Sequence, residues 1–271
     1  MSYKLAVIGV GNMARAVIDG IQKNPIEISE IHLFDMNIEQ YKLLSVGKCP
    51  YYFCDSIVQA VSESDCVLLS VKPQNYPEVL EEITKVMGFD TKLYITIAAG
   101  ISVNTVSCAL GGADVVRVLP NLPMTIGKGV SVICQNPDVK EEKISFVTSL
   151  FSSSGSIFMI DEKDMNTTIG VTSSSPAYVF KFIDSICRGA EAQGLDYQRV
   201  LDSVCDVFIG AAMLLKQSGE TPNTLISRVC SKGGTTERAM NKLNDANIDK
   251  IIADAMIACT QRADELGKRE E

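Results

Sequence analysis

Two short stretches carry residue types that chemistry uses and that folding alone does not require. The first is "IGVGNMA", Ile8 to Ala14, with Gly9 and Gly11 followed by Asn12 and Met13. Gly9 permits a tight turn, and Gly11 lets backbone approach a pyrophosphate. Ala14, in the third position, is small enough for a helix to pack on a strand. The helix that begins here would present N–H donors and a partial positive charge to an anion. A strand precedes the motif and a helix follows it, so it reads as a dinucleotide-binding turn rather than a plain strand-to-helix connection.

The second stretch is "VCSKGGTTERAM", Val229 to Met240, set among residues of helical pattern. Gly costs roughly 1 kcal/mol against Ala in a helix interior, so adjacent glycines mark a deliberate loop. Gly233 and Gly234 would let successive N–H groups converge, and Thr235 and Thr236 would open the next helix. Such a turn holds a carboxylate; the plainer alternative is an ordinary helix cap. Ser174, in "VTSSSPAY", opens another helix in the same way.

The remaining candidates sit at the ends of strands. Asp35 lies 26 residues after Gly9 and closes the second strand. A carboxylate there accepts both ribose hydroxyls of NAD and repels a 2′-phosphate; otherwise it is a solvated loop residue. Ser70, Val71, Lys72 and Pro73 end a later strand, and Pro73 forces Lys72 out of the α region. Ala98 and Ala99 lead into Gly100, small enough for a flat ring to approach. Asn121 stands in "RVLPNLP", a loop stiffened by prolines. Three such loops at one sheet edge predict a ligand crevice.

These residues need a frame. Over residues 1–161, short β-branched runs ("KLAVIGV", "EIHLFD", "DCVLLSV", "LYITIA", "DVVRVL", "GVSVIC", "SIFMI") alternate with helical segments, including "NMARAVIDGIQK" and "NIEQYKLLS". Continuous apolar strands separated by helices predict a doubly wound, mostly parallel α/β domain of the Rossmann kind. Residues 162–271 show no further strand signals. Helices are predicted up to Gly194, from Asp196 to Gly219, over "TPNTLISRVC", and from Asn247 to Lys268. They are apolar enough that dimerisation is the expected way to cover them.

Composition removes whole classes of function. The net charge of -8 argues against a nucleic-acid partner. No apolar run approaches the roughly 20 residues of a membrane helix. Nine cysteines are spaced without any CxxC pair, as in a reducing cytosol, so a cytoplasmic protein with no disulfide scaffold and no bound metal is expected. The one histidine, His32, lies inside a strand, which leaves no histidine triad. Reactivity must therefore come from a cofactor.

Taken in order, "IGVGNMA", "SVKPQ", "IAAGIS", "RVLPNLP", "SSPAYVF" and "CSKGGTT" resemble the pyrroline-5-carboxylate reductase family over essentially the whole chain. The last two are the most specific, with Pro222, Leu225, Val229, Ser231, Gly233, Gly234 and Thr236 on the family pattern. The resemblance implies NADPH, or NADH in some members, on the first domain. It implies an intertwined homodimer through the second, with further assembly of dimers in some cases. It implies reduction of 1-pyrroline-5-carboxylate to L-proline by hydride transfer to the C=N carbon. The substrate carboxylate would lie on the loop Gly233–Thr236, with Ser174 and Glu162 nearby, and the Thr236 hydroxyl would hydrogen-bond the ring nitrogen. Departures from the pattern are Lys232 for a proline, Ser173 for a glycine, Leu122 for a threonine and Glu237 for an apolar residue. Three other readings remain open: a reductase of another small cyclic imine, a β-hydroxyacid dehydrogenase, and a non-catalytic or regulatory paralogue that keeps the nucleotide.

Overall fold

Alternation along the strands decides the layers. A computed structural model describes residues 2–23, 27–45, 47–136 and 139–267. Among them, strands β1 (Tyr3–Ile8), β2 (Ile28–Phe34), β3 (Tyr51–Phe53), β4 (Cys66–Leu69), β5 (Leu93–Thr96), β6 (Asp114–Leu119), β7 (Gly129–Gln135) and β8 (Gly155–Met159) form one sheet. Its order is β3-β2-β1-β4-β5-β6-β7-β8. All neighbouring pairs are parallel except β6 with β7. Successive side chains of a strand point to opposite faces, and β1 shows it: Leu5 and Val7 join one core cluster, Ala6 and Ile8 the other.

Helices cover both faces. On one lie α1 (Asn12–Lys23) and, later in the chain, a second helix centred on Phe146 and Leu150. On the other lie α2 (Ile57–Ser62), α3 (Tyr76–Thr84) and α4 (Val103–Ala109). The helix that carries Phe146 is α5 (Glu141–Ser152). This is the doubly wound, mostly parallel α/β architecture expected. Segment Ile38–Leu43, expected to be helical, is a 3₁₀ helix, started by the Asn37 side chain on the Glu39 N–H.

Beyond the sheet come α6 (Glu162–Thr168), one π-helical turn (Ile169–Ser173), α7 (Ser175–Glu191), α8 (Tyr197–Ser218), α9 (Pro222–Val229), α10 (Thr235–Asp245) and α11 (Ile248–Gly267). Lys268, expected to end the last helix, lies outside the described residues. Packing divides the chain into Met1–Pro176 with Ile257–Glu271, and Ala177–Met256. Composition groups α6 with the helices after it, as in the boundary at residue 161. Its Met165, however, is fully buried in the sheet's core beside Ile169 and Ala263, so the first unit includes these pieces.

Within that unit, the end of α11 meets the loop after β5. Gly100 has φ +81, and a Cβ there would lie 2.7 Å from the Ala263 carbonyl oxygen. A Cβ on Gly267 would lie 2.6 Å from the Gly100 oxygen. Two main chains touch where neither residue has room for a side chain.

The second unit has the opposite character. Helices α8, α9 and α10 contain no buried residue, although α8 alone presents Val207, Ile209, Met213 and Leu214 more than half exposed. Asp184 ties α7 to α8: it accepts from Tyr197 at 3.1 Å and from Arg188 Nε at 3.0 Å.

Candidate active site

Register brings the expected cofactor residues together. Phe34, Ile8, Leu69 and Thr96 stand side by side across β2, β1, β4 and β5, so Asp35, Gly9, Ser70 and the Ala98–Ala99 turn follow at one carboxyl edge. The strand order reverses between β2 and β4 around β1, which makes this edge the switch-point crevice where ligands bind.

The glycine turn has the geometry its sequence suggests. Gly9 has φ +89, and a Cβ there would sit 2.8 Å from the Ser70 oxygen. Its N–H donates to the Phe34 carbonyl at 2.8 Å. Around Gly11, by contrast, a Cβ would meet nothing within 4 Å. The space there is open, as a pyrophosphate cradle requires. Ala14 is fully buried, and Met13 packs against the same core. Lys72 is extended (φ -67, ψ 150) ahead of a short 3₁₀ turn begun by Pro73. Val71 packs against the core, and Lys72 is exposed at the crevice rim.

Two residues are placed differently from expectation. Asn121 is buried, and both ends of its amide are engaged: Nδ2 donates to the Thr172 carbonyl at 3.0 Å, and Oδ1 accepts the Val130 N–H at 2.9 Å. It braces the loop after β6. Glu162 accepts the Val103 N–H at 2.6 Å and lies 3.7 Å from Arg117 Nη1. Arg117 is buried on β6 and also donates to Asn166 at 2.7 Å, which in turn donates to Asp264 at 2.7 Å. Burial pulls the Arg117 guanidinium below its usual pKa, and Glu162 opposes that shift. Glu162 therefore has a structural task in this protein.

Ser174 ends the π turn, its hydroxyl 3.2 Å from the Cys259 sulfur. Ser173 needs no left-handed backbone, so a side chain is tolerated where the family pattern has glycine; its buried Oγ has no hydrogen-bond partner. His32 is buried and stacks on Tyr52, as a structural histidine does. All nine cysteines are free thiols, Cys66 fully buried.

In the second unit, Gly233 has φ +74 and Gly234 is the N-cap of α10. A Cβ on Gly234 would meet Ser231 Oγ. The glycine N–H groups are not bare, however. Gly233 donates to Glu237 Oε2 at 2.7 Å, and Gly234 to the Ser231 carbonyl at 2.9 Å. The N–H groups without an intrahelical acceptor are those of the first turn, from Thr235 and Thr236 onward. Thr236 is half-buried and Lys232 exposed.

Sequence reasoning missed Arg15. It projects from α1 and donates to the Val10 carbonyl at 3.4 Å and to the side-chain oxygens of Gln40 and Asn12. The one local signal was its position three residues after Asn12, on the same helix face.

A switch-point crevice with a glycine turn, joined to a chain of apolar helices, defines a dinucleotide-binding α/β protein with a helical second domain. A family model described as pyrroline-5-carboxylate reductase dimerisation matches residues 162–266, and one described as NADP oxidoreductase, coenzyme F420-dependent, matches residues 4–100. The chain is 34% identical to the pyrroline-5-carboxylate reductase of Vibrio alginolyticus, covering 98% of each. It superposes on the 1-pyrroline-5-carboxylate reductase of Streptococcus pyogenes with a TM-score of 0.87 at 28% identity, over 97% of this chain and 99% of that one. For the Plasmodium falciparum pyrroline carboxylate reductase with NADP bound, the values are 0.88 and 25%, over 98% of each. The chain belongs to the pyrroline-5-carboxylate reductase family.

Proposed function

We propose that this protein reduces 1-pyrroline-5-carboxylate to L-proline with NADPH or NADH. The carrying observation is similarity over 98% of both chains to a reductase of that name, with the glycine turn and the 233–236 loop both retained. The residues of the crevice fit a dinucleotide. Gly11 leaves open the space a pyrophosphate needs, and Gly9 holds the turn against Ser70. Asp35 and the α1 N-terminus, Asn12 and Met13, border the same turn, while Ile8 and Ala98 floor it. When bound, the reduced nicotinamide supplies the hydride.

The chain's own task is to bind and orient an anionic cyclic imine. The first-turn N–H groups at Thr235 and Thr236 suit its carboxylate. Lys232 adds positive charge beside them, and the Thr236 hydroxyl hydrogen-bonds the ring nitrogen. Ser174 contributes a hydroxyl at the second small-residue loop, and Glu162 acts by fixing Arg117 and α4. Lys72, Pro73, Ala99 and Asn121 shape the crevice wall. A homodimer follows from three helices with no buried residue, because a single chain leaves their apolar side chains in water. Nine free thiols suit a cytoplasmic setting.

Incubating the purified protein with 1-pyrroline-5-carboxylate and reduced dinucleotide tests the proposal. Loss of absorbance at the nicotinamide band, with proline formed in equal amount, is expected. Thr236→Ala should lower kcat/KM at least tenfold, by about 1.5–3 kcal/mol for one lost hydrogen bond to a charged group. One observation favours a second reading, a paralogue that binds nucleotide without catalysis: Glu237 holds the Gly233 N–H. Dinucleotide binding with no turnover would select it.

A further inference from the structure

The adenosine end of the crevice holds one carboxylate and one guanidinium with opposite preferences. We infer that Asp35 makes this protein select NADH over NADPH, an inference that rests on the dinucleotide reading above and narrows it. Asp35 follows β2 directly. Its Oδ2 accepts the Val10 N–H at 2.6 Å and its Oδ1 accepts the Asn37 N–H at 2.7 Å. Its own N–H donates to the Tyr41 hydroxyl at 2.8 Å. The carboxylate is thus fixed by main chain on both oxygens. One of those anchors, Val10, lies between the two turn glycines. A carboxylate has about four acceptor positions; two are used, and two remain for neighbouring ribose hydroxyls.

Among the described residues no lysine or arginine pairs with Asp35. A 2′-phosphate brings a further charge of about -1.5 to -2 against an uncompensated negative group. Arg15 is the counter-argument, since it lies by the same turn. Its guanidinium, however, is held by three neutral oxygens, those of Val10, Gln40 and Asn12. Serving a phosphate would require it to leave partners that join α1 to the 3₁₀ segment. Asp35 cannot move aside in exchange, because its anchors are backbone groups. Repulsion by the fixed charge therefore outweighs attraction by the engaged one.

Isothermal titration of the full-length protein with NAD⁺ and NADP⁺ decides the matter without turnover. NAD⁺ should bind at least tenfold more tightly. Asp35→Asn keeps an acceptor for the Val10 N–H and removes the charge; Asp35→Ser removes more. Both should shrink the preference about tenfold by strengthening NADP⁺, with thermal unfolding showing that each variant is folded. Equal or tighter binding of NADP⁺ by the unaltered protein would overturn the inference. So would Asp35→Asn weakening both dinucleotides alike, which would leave Asp35 as a brace for the turn alone. Failure of either dinucleotide to bind would remove the dinucleotide reading itself, and the inference with it.

Discussion

Glu237 Oε2 lies 2.7 Å from the Gly233 nitrogen and accepts its N–H. Glu237 is the third residue of α10, reaching back past the N-cap, a capping box displaced by one residue. An internal carboxylate thereby takes one of the donors that the sequence offered to a ligand. Replacing it with alanine frees that donor and removes a negative charge from the anion site. Helix-end charges are worth about 0.3–1 kcal/mol when exposed, so Glu237→Ala should lower KM for 1-pyrroline-5-carboxylate severalfold and leave kcat nearly unchanged. An unaltered KM in steady-state kinetics would show that the substrate carboxylate does not use this loop.

Glu162 separates structure from ligand binding. Its removal leaves the buried Arg117 without its counter-charge and the α4 N-terminus without its acceptor. Breaking a buried pair costs about 3–5 kcal/mol; with Glu162 a third exposed, about 1–3 kcal/mol is expected after screening. Urea unfolding of Glu162→Ala, which removes both charge and acceptor, should show a lower midpoint with an unchanged slope. A variant of full stability and reduced kcat/KM would restore Glu162 to the substrate.

The two glycines of the turn should fail differently. Gly9→Ala forces a side chain into left-handed backbone and against the Ser70 oxygen, at a cost of about 1–3 kcal/mol or more. Gly11→Ala meets no protein atom and should leave the melting temperature within a degree or two of the original, by roughly ±0.5 kcal/mol. Only the dinucleotide senses that methyl group. Titration of Gly11→Ala should show weakened binding in a protein of normal stability.

Asp184 predicts an acid limb. The Arg188 guanidinium, with Lys181 and Tyr197, holds its carboxyl below the usual pKa. A depressed carboxyl contributes stability that is complete above the unfolded value, about 3.9, and lost as pH falls through the lower folded value. Thermal unfolding of Asp184→Asn should therefore fall below the unaltered protein at pH 6, and the gap should close as pH drops below that range. A constant gap down to the lowest pH would show that the Arg188 pairing does not set the shift.

Most of the frame was legible because strands buried on both faces leave continuous apolar runs and helices leave a period. Strand β3, three residues long, is too short to leave either. The antiparallel direction of β7 is invisible in a one-dimensional pattern, since "GVSVIC" reads the same in either sense. Side-chain destinations were harder. The tight turn at Gly9 follows from local geometry and could be read. Glu162 on Val103, Asn121 on Thr172 and Arg15 on Gln40 span 59, 51 and 25 residues. No local rule anticipates such pairings, which give Glu162 and Asn121 bracing contacts and bring Arg15 to the turn unannounced.

The contact between Gly100 and Gly267 bears on how this protein is handled. A side chain introduced at Gly100 or Gly267 would meet a seam with no slack, at the turn that follows β5. Shortening the final helix from Ala263 onward would strip the wedge from beneath that turn and slacken it.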